Sequence, residues 1–94
     1  MASIRNIKKD VDFLISEVIG DCWVYMHFNP GKKLDEVEIV LTKATELRND
    51  LYSRINHPEN KKDAKAVKGH YRAISKDLLE GVNGLFEQIS SLAK

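Results

Sequence analysis

The chain is poor in cysteine and proline and has no long apolar run: its 94 residues include one cysteine and two prolines. A single cysteine, Cys22, excludes an intramolecular disulfide and a zinc site made of several cysteines. A membrane-spanning helix needs about 20 mostly apolar residues in succession, and the N-terminal segment lacks the continuous apolar core of a secretory signal. We therefore expect a cytoplasmic protein that does not contact membranes.

Catalytic and cofactor motifs are also absent. No glutamate is followed by histidine three residues later, which is the motif that holds the metals of di-iron bundles. His27, His57 and His70 are too far apart in the sequence to share a metal on one helical turn, and no glycine-rich phosphate loop is present. These absences predict a protein without cofactor, metal or enzymatic activity.

Charge of one sign does not dominate the composition. The sequence has 15 Lys and Arg against 14 Asp and Glu, a net charge of +1, so the chain as a whole has no bulk attraction to nucleic acid. Apolar residues make up 43% of the chain, which suits one small globular domain over residues 1–94. We therefore do not expect nucleic acid as the main partner.

What the sequence does contain is three long amphipathic segments separated by two proline turns, Asn29-Pro30-Gly31 and Asn56-His57-Pro58. Apolar residues recur in each segment with the period of an α-helix, and proline disfavours helix in the residue before it. The pattern predicts helices over residues 4–28, 34–55 and 61–92. Short connections place consecutive helices antiparallel, so the predicted fold is all-α, an up-down-up bundle of three long helices.

The first segment carries two apolar stripes. The main stripe faces the predicted core, and a second stripe of Phe13, Gly20, Val24 and Phe28, with Trp23 beside it, lies roughly opposite. A three-helix bundle needs only one buried stripe per helix. Either the core is wide and aromatic residues cap it at the turn, or a partner covers the second stripe, because exposed apolar patches commonly mark interfaces.

The second interpretation predicts an interface at Phe13, Trp23, Val24 and Phe28. A chain this short buries only about 60–65% of the surface that it exposes when unfolded, so association with a second copy would add burial. We expect self-association through the first helix into a larger bundle, with a homodimer favoured over other oligomers. An unidentified protein partner is the other occupant that this surface could take.

Arg48 falls within the apolar stripe of the second segment. A charge at such a position must be paired, or it must extend its head group into solvent. One interpretation is a polar pocket formed by Glu17, Arg48, His70 and Tyr71 that binds an anion or another polar ligand. The other is an ion pair at the edge of the core, with Glu17 or Asp10 as the partner of Arg48.

Charges are unevenly distributed along the predicted bundle. Residues 1–14 and 45–72 meet at one end and contain ten basic and six acidic side chains, whereas residues 15–44 and 73–94 contain five basic and eight acidic ones. The candidate basic end consists of Arg5, Lys8, Lys9, Arg54, Lys61, Lys62, Lys65 and Lys68. The alternative function is therefore a small protein that binds an anion or nucleic acid at this end, although no aromatic residues interleave for base stacking.

Three stretches, IRNIKKDVDFLISEVIGDC, ELRNDLYSRINHPE and HYRAISKDLLEGVNGLF, together resemble an uncharacterised family of short, all-helical proteins from gut and oral anaerobic bacteria. The resemblance extends over most of the chain. It implies a bacterial, cytoplasmic helical protein, and it carries over no activity, cofactor or catalytic residue. The leading hypothesis from the residues is a non-enzymatic interaction or scaffold module that self-associates through its first helix.

Overall fold

The computed structural model describes the backbone of residues 4–57 and 63–92 and the side chains of residues 6–57 and 63–92. These residues form three helices, α1 (Ile4–Phe28), α2 (Leu34–Asn56) and α3 (Ala64–Leu92). Each helix contacts the other two, and together they make a rod of 51 × 19 × 17 Å. The prediction of an all-α bundle of three long helices is confirmed.

Contacts between the helices establish that consecutive helices are antiparallel. Asp12 of α1 accepts from Arg48 of α2, whereas the backbone carbonyl oxygen of Lys8, earlier in α1, lies 3.4 Å from the hydroxyl of Tyr52, later in α2. At the other end of α2, Lys33 Nζ donates to the carbonyl oxygen of Leu92 at 3.3 Å. The chain therefore runs up, down and up.

The helix boundaries follow the sequence prediction except at the start of α3. α1 has the predicted bounds, and α2 ends one residue later than predicted. α3 begins at Ala64 instead of residue 61 because Asp63 is its N-cap: Asp63 Oδ1 accepts from the backbone N–H groups of Lys65 at 3.0 Å and Ala66 at 3.3 Å. An aspartate in this position satisfies donors that have no partner inside the helix. Residues 61 and 62 lie outside the described residues.

The turn between α1 and α2 is built by Asn29 and Gly31. The Asn29 side-chain amide donates to the carbonyl oxygen of Tyr25 at 3.0 Å, and the Asn29 backbone N–H donates to the same oxygen at 2.9 Å, so Asn29 closes the last turn of α1 with two bonds. Gly31 has a φ of 76°, and Lys33 has a φ of 52°. Glycine adopts this left-handed conformation without steric cost, whereas Lys33 adopts it as the residue immediately before α2.

The core lies along the line where the three helices meet, and it consists of the predicted apolar stripes. No charged or polar side chain is buried among the described residues. Ala64, the first residue of α3, is exposed. The buried residues of α1 are Ile7, Val11, Ile15, Val18, Cys22 and Tyr25, those of α2 are Val37, Val40, Ala44, Leu51 and Ile55, and those of α3 are Ile74, Leu78, Val82, Leu85 and Ile89.

One glycine of α3 sets the distance between α2 and α3. A Cβ atom added at Gly81 would lie 2.7 Å from Cδ2 of Leu47, which is closer than two carbon atoms approach without repulsion. Gly81 therefore lets the Leu47 side chain pack directly against the backbone of α3. At Gly84, less than one turn later, an added Cβ would meet nothing within 4 Å.

Candidate functional site

The solvent-facing side of α1 from Phe13 to Phe28, called here the outer face of α1, exposes the predicted interface residues. Phe13, Trp23, Val24 and Phe28 are 62%, 64%, 56% and 74% exposed. The interpretation in which these side chains cap a wide core is therefore wrong, because the core of the described chain lies against the opposite side of the helix. The second stripe lies in solvent.

Residues of the outer face follow the spacing of a coiled coil. Phe13, Ser16, Gly20, Trp23 and His27 alternate by three and four residues, which keeps them on one line along a helix. All five are exposed and none carries a fixed charge. At a rise of about 1.5 Å per residue, this line is about 21 Å long. A helix from a partner could lie along it for about four turns.

Two small residues separate the large side chains on this line. Gly20 lies in open space, since an added Cβ would meet nothing within 4 Å. The Ser16 hydroxyl donates to the carbonyl oxygen of Phe13 at 2.8 Å, so covering it would leave no donor without a partner. Reasoning from apolar residues alone missed Ser16 and His27, and their three-and-four spacing is the signal that finds them.

Carboxylates border the outer face on one side. Glu17 and Asp21 are one helical turn apart, and both are exposed.

The thiol of Cys22, next to Asp21, stays protonated. Burial, and secondarily the negative charge of Asp21, raise the pKa of Cys22. Cys22 is fully buried, so it packs as a small apolar residue in its protonated form.

Arg48 belongs to a polar cluster at the α1–α2 surface. Its Nε donates to Asp12 Oδ1 at 3.0 Å, and the Tyr52 hydroxyl donates to Asp12 Oδ2 at 2.7 Å. The guanidinium lies 4.2 Å from the centre of the Tyr52 ring, and Lys8 Nζ lies 5.8 Å from the same centre. The hydrogen bond to Asp12 raises the pKa of the Tyr52 hydroxyl.

The predicted partners of Arg48, Glu17 and Asp10, are wrong, because the structure pairs Arg48 with Asp12. Asp12 lies on the side of α1 that faces α2. At 3.6 residues per turn, Glu17 and Asp10 are rotated away from Asp12 by about 140° and about 160°. The pair also lies at the surface, with side chains that are 43% and 52% exposed, so it is not a buried ion pair.

His70 and Tyr71 satisfy carbonyl groups at the end of α2. His70 Nε2 donates to the carbonyl oxygen of Arg54, and the Tyr71 hydroxyl donates to that of Ile55 at 3.3 Å. The last four carbonyls of a helix have no partner within it. Both side chains therefore fix the end of α2 against α3.

The four residues of the predicted polar pocket do not form one site. Glu17 lies beside the outer face of α1, and Arg48 is bonded across to Asp12. His70 and Tyr71 bond to carbonyls six and seven residues after Arg48, which is about 9–10 Å further along α2.

Contacts within the chain reduce the positive charge that the predicted basic end has available to bind an anion. Arg54 Nη1 lies 2.7 Å from Asp77 Oδ2 and 3.8 Å from Asp50 Oδ2, so its charge is paired. The Asp63 carboxylate occupies the N-terminus of α3, where an anion would otherwise bind backbone N–H groups. Of the other predicted members, Lys9, Lys65 and Lys68 are exposed, Lys8 is half-buried, and the Arg5 side chain, Lys61 and Lys62 lie outside the described residues.

Two other kinds of site are absent from the described part of the chain. No group of three or more His, Cys, Asp or Glu side chains there could hold a metal ion, and no helix there is both long and apolar enough to cross a membrane. No known protein family, curated protein or solved structure matches this chain. The resemblance to a family from anaerobic bacteria therefore stays a prediction.

Proposed function

We propose that this protein is a non-enzymatic interaction module that self-associates, as a homodimer, through the outer face of α1. The observation that carries the proposal is the uncharged line Phe13, Ser16, Gly20, Trp23 and His27, with its three-and-four spacing. An uncharged line that carries exposed aromatic side chains on the solvent side of a helix is suited to packing against a second helix.

Burial of the large outer side chains provides the driving force. Fully burying one large apolar side chain contributes about 1.5–3 kcal/mol, and Phe13, Trp23 and Phe28 are each more than half exposed. The small residues Ser16 and Gly20 leave room for a large side chain of the second copy. Large side chains fitting beside small ones give the packing density that a stable helix pair needs.

Self-association is favoured over anion binding at the basic end. Charged groups at the basic end are already bonded within the chain, whereas the large side chains on the outer face of α1 are not. Arg54 is bonded to Asp77, and Asp63 caps α3. The outer face of α1, in contrast, has no described partner for its aromatic side chains other than the 5.2 Å edge contact between His27 and Phe28.

A cytoplasmic location is part of the proposal. A free thiol such as Cys22 is compatible with a reducing compartment.

The proposal is tested by the molar mass in solution of two charge variants. Phe13→Glu places a carboxylate on the outer face of α1, where an uncompensated charge in an apolar contact is unfavourable. Ile39→Glu is the matched control, because Ile39 is similarly exposed but lies on α2. Light scattering at micromolar concentration should show a dimer for the wild type and for Ile39→Glu, and a monomer for Phe13→Glu.

A pair of glycine variants tests the fit between the two copies. Gly20→Leu fills the space between Phe13 and Trp23, and Gly69→Leu adds the same side chain at an equally open position on α3. Both changes should raise helix stability, because glycine is about 1 kcal/mol less favourable than good helix formers. Only Gly20→Leu should weaken dimerisation, and equal masses for the two variants would contradict the proposed interface.

A further inference from the structure

A groove between α2 and α3 lies on a different side of the molecule from the interface proposed above. Two adjoining cavities of 410 and 440 Å³ share Gly84 and Gln88 in their walls. Together they extend along α2 from Glu36 to Leu47, a length of about 16 Å or three helical turns. The apolar residues that line this α2–α3 groove are Ile39, Val40, Leu47, Leu85 and Leu92.

The groove exists because of a difference between two glycines. At Gly81 the Leu47 side chain packs into the place of the missing Cβ, whereas at Gly84 nothing lies within 4 Å of that place. Ile39 borders the opening and is 51% exposed. The open floor at Gly84 therefore offers an apolar site that no side chain of the described chain fills.

Carboxylates surround this apolar floor. Glu36, Glu80 and Glu87 line the groove together with one lysine, Lys43. Glu80 has a weak contact with Lys76 at 4.0 Å, and neither Glu36 nor Glu87 has an ion pair among the described residues. Three carboxylates and one lysine give the lining of the groove a net charge of −2, so its field attracts cations. The Leu92 carbonyl at the end of α3 is already bonded by Lys33 Nζ.

We propose that the α2–α3 groove binds a cationic amphipathic helix of another protein. Such a helix would place aliphatic side chains on the apolar floor, in the manner of helix-in-groove recognition, and basic side chains beside Glu36 and Glu87. The outer face of α1 from a second copy is not the occupant, because residues 13–28 contain no lysine or arginine to place beside Glu36 and Glu87.

The test uses three fluorescent peptides of equal length. The first has leucines spaced by three and four residues with lysines elsewhere, the second replaces every lysine by glutamate, and the third has the first composition with the leucines spread around the helix. The leucine–lysine helix should bind at micromolar concentration, and the other two should bind at least about tenfold more weakly. Equal binding of the scrambled peptide would mean mere charge attraction and would overturn the proposal.

Two leucine variants locate the binding site. Gly84→Leu fills the groove and should weaken binding of the leucine–lysine peptide at least about tenfold, whereas Gly69→Leu, at another open position on α3, should leave it unchanged. Open space at both positions allows both variants to fold, which circular dichroism checks. Unchanged binding by Gly84→Leu overturns the groove proposal, whatever the dimer mass of the same variant shows about α1.

A charge reversal provides a second readout. Glu36→Lys combined with Glu87→Lys should abolish peptide binding, and the control Glu38→Lys should leave it unchanged, since Glu38 is exposed on α2 outside the two cavities. Loss of binding in both would mean that the overall field of the acidic end attracts the peptide, and it would overturn the groove.

Discussion

The two faces of α1 reverse the usual arrangement, because the larger apolar side chains lie on the exposed face and the smaller ones on the buried face. The inner face buries modest side chains, among them Val11, Val18 and Cys22, all fully buried. The outer face exposes Phe13 and Phe28, two of the three phenylalanines, and the only tryptophan.

Folding of the single chain therefore leaves its largest apolar side chains exposed to solvent. Large side chains contribute most to burial energy, and a bundle with a core of mostly aliphatic residues has nowhere to place them. The surface at Phe13, Trp23 and Phe28 is the one that the proposed self-association would cover. The comparison predicts that changes on the inner face affect folding and changes on the outer face affect association.

The largest effect is expected from the inner face. Ile15 is almost completely buried, and Ile15→Ala should lower the free energy of unfolding by about 2–5 kcal/mol, because it removes buried methyl groups and leaves a cavity. Phe28→Ala on the outer face should change it by less than about 0.5 kcal/mol in the monomer. Urea denaturation at a concentration where both variants are monomeric measures the difference, and similar losses would remove the distinction between the faces.

The bounds of α1 and the positions of its buried residues could be predicted from the sequence because one strong 3.6-residue period extends across the whole helix. The start of α3 could not be predicted as well. The observed start follows from the Asp63 cap, and because several residue types are able to cap a helix, the sequence pattern does not single out Asp63. The role of Gly81 could not be predicted from the sequence either, because it depends on its contact with Leu47 in another helix.

A smaller effect should separate the two glycines of α3. Gly84→Ala should raise the free energy of unfolding by up to about 1 kcal/mol, because alanine is the better helix former. Gly81→Ala should gain less, since its new Cβ would push against the Leu47 side chain, 2.7 Å away. Thermal denaturation of the two variants measures the order, and an equal gain would mean that Leu47 moves aside without cost.

Replacing either of the two arginines of α2 by alanine should change the free energy of unfolding by a similar or smaller amount. Arg54 is the less exposed and has two carboxylate neighbours, so Arg54→Ala should destabilise at least as much as Arg48→Ala. Both losses should be about 1 kcal/mol or less, as is usual for pairs near the surface. A double-mutant cycle with Asp77→Ala and with Asp12→Ala gives the two pair energies, and a much larger value for Arg48 would contradict its surface position.

The site at Arg48 shows where sequence reasoning ends. The position of Arg48 in an apolar stripe predicted that it is either paired or extended into solvent. Which carboxylate of α1 meets it depends on which edge of the buried face lies beside α2. Asp12 borders one edge, and Asp10 and Glu17 border the other, and the sequence pattern does not decide between the two edges. Tyr52, one turn after Arg48 in the same helix, was the available signal for a polar cluster.

The smallest effect is a dependence of stability on alkaline pH. The hydrogen bond to Asp12 raises the pKa of Tyr52 in the folded protein above its ordinary value of about 10. The folded state thus favours the protonated hydroxyl, so the stabilisation is complete below about pH 10 and is lost as the pH rises through the raised pKa. Tyr52→Phe should lose this part of the pH dependence. Comparing urea midpoints of wild type and Tyr52→Phe isolates it from Cys22, whose pKa is also raised.

The most direct test of the outer face of α1 uses Trp23, the only tryptophan in the chain, as a reporter of its own burial. Fluorescence emission and sedimentation mass are measured on the same samples over a dilution series. We predict that the mass rises with concentration from 10.7 kDa to twice that value and that Trp23 emission shifts to shorter wavelength with the same midpoint. A mass that stays at that of one chain, or a dimer in which Trp23 emission remains that of a solvent-exposed indole, would contradict it.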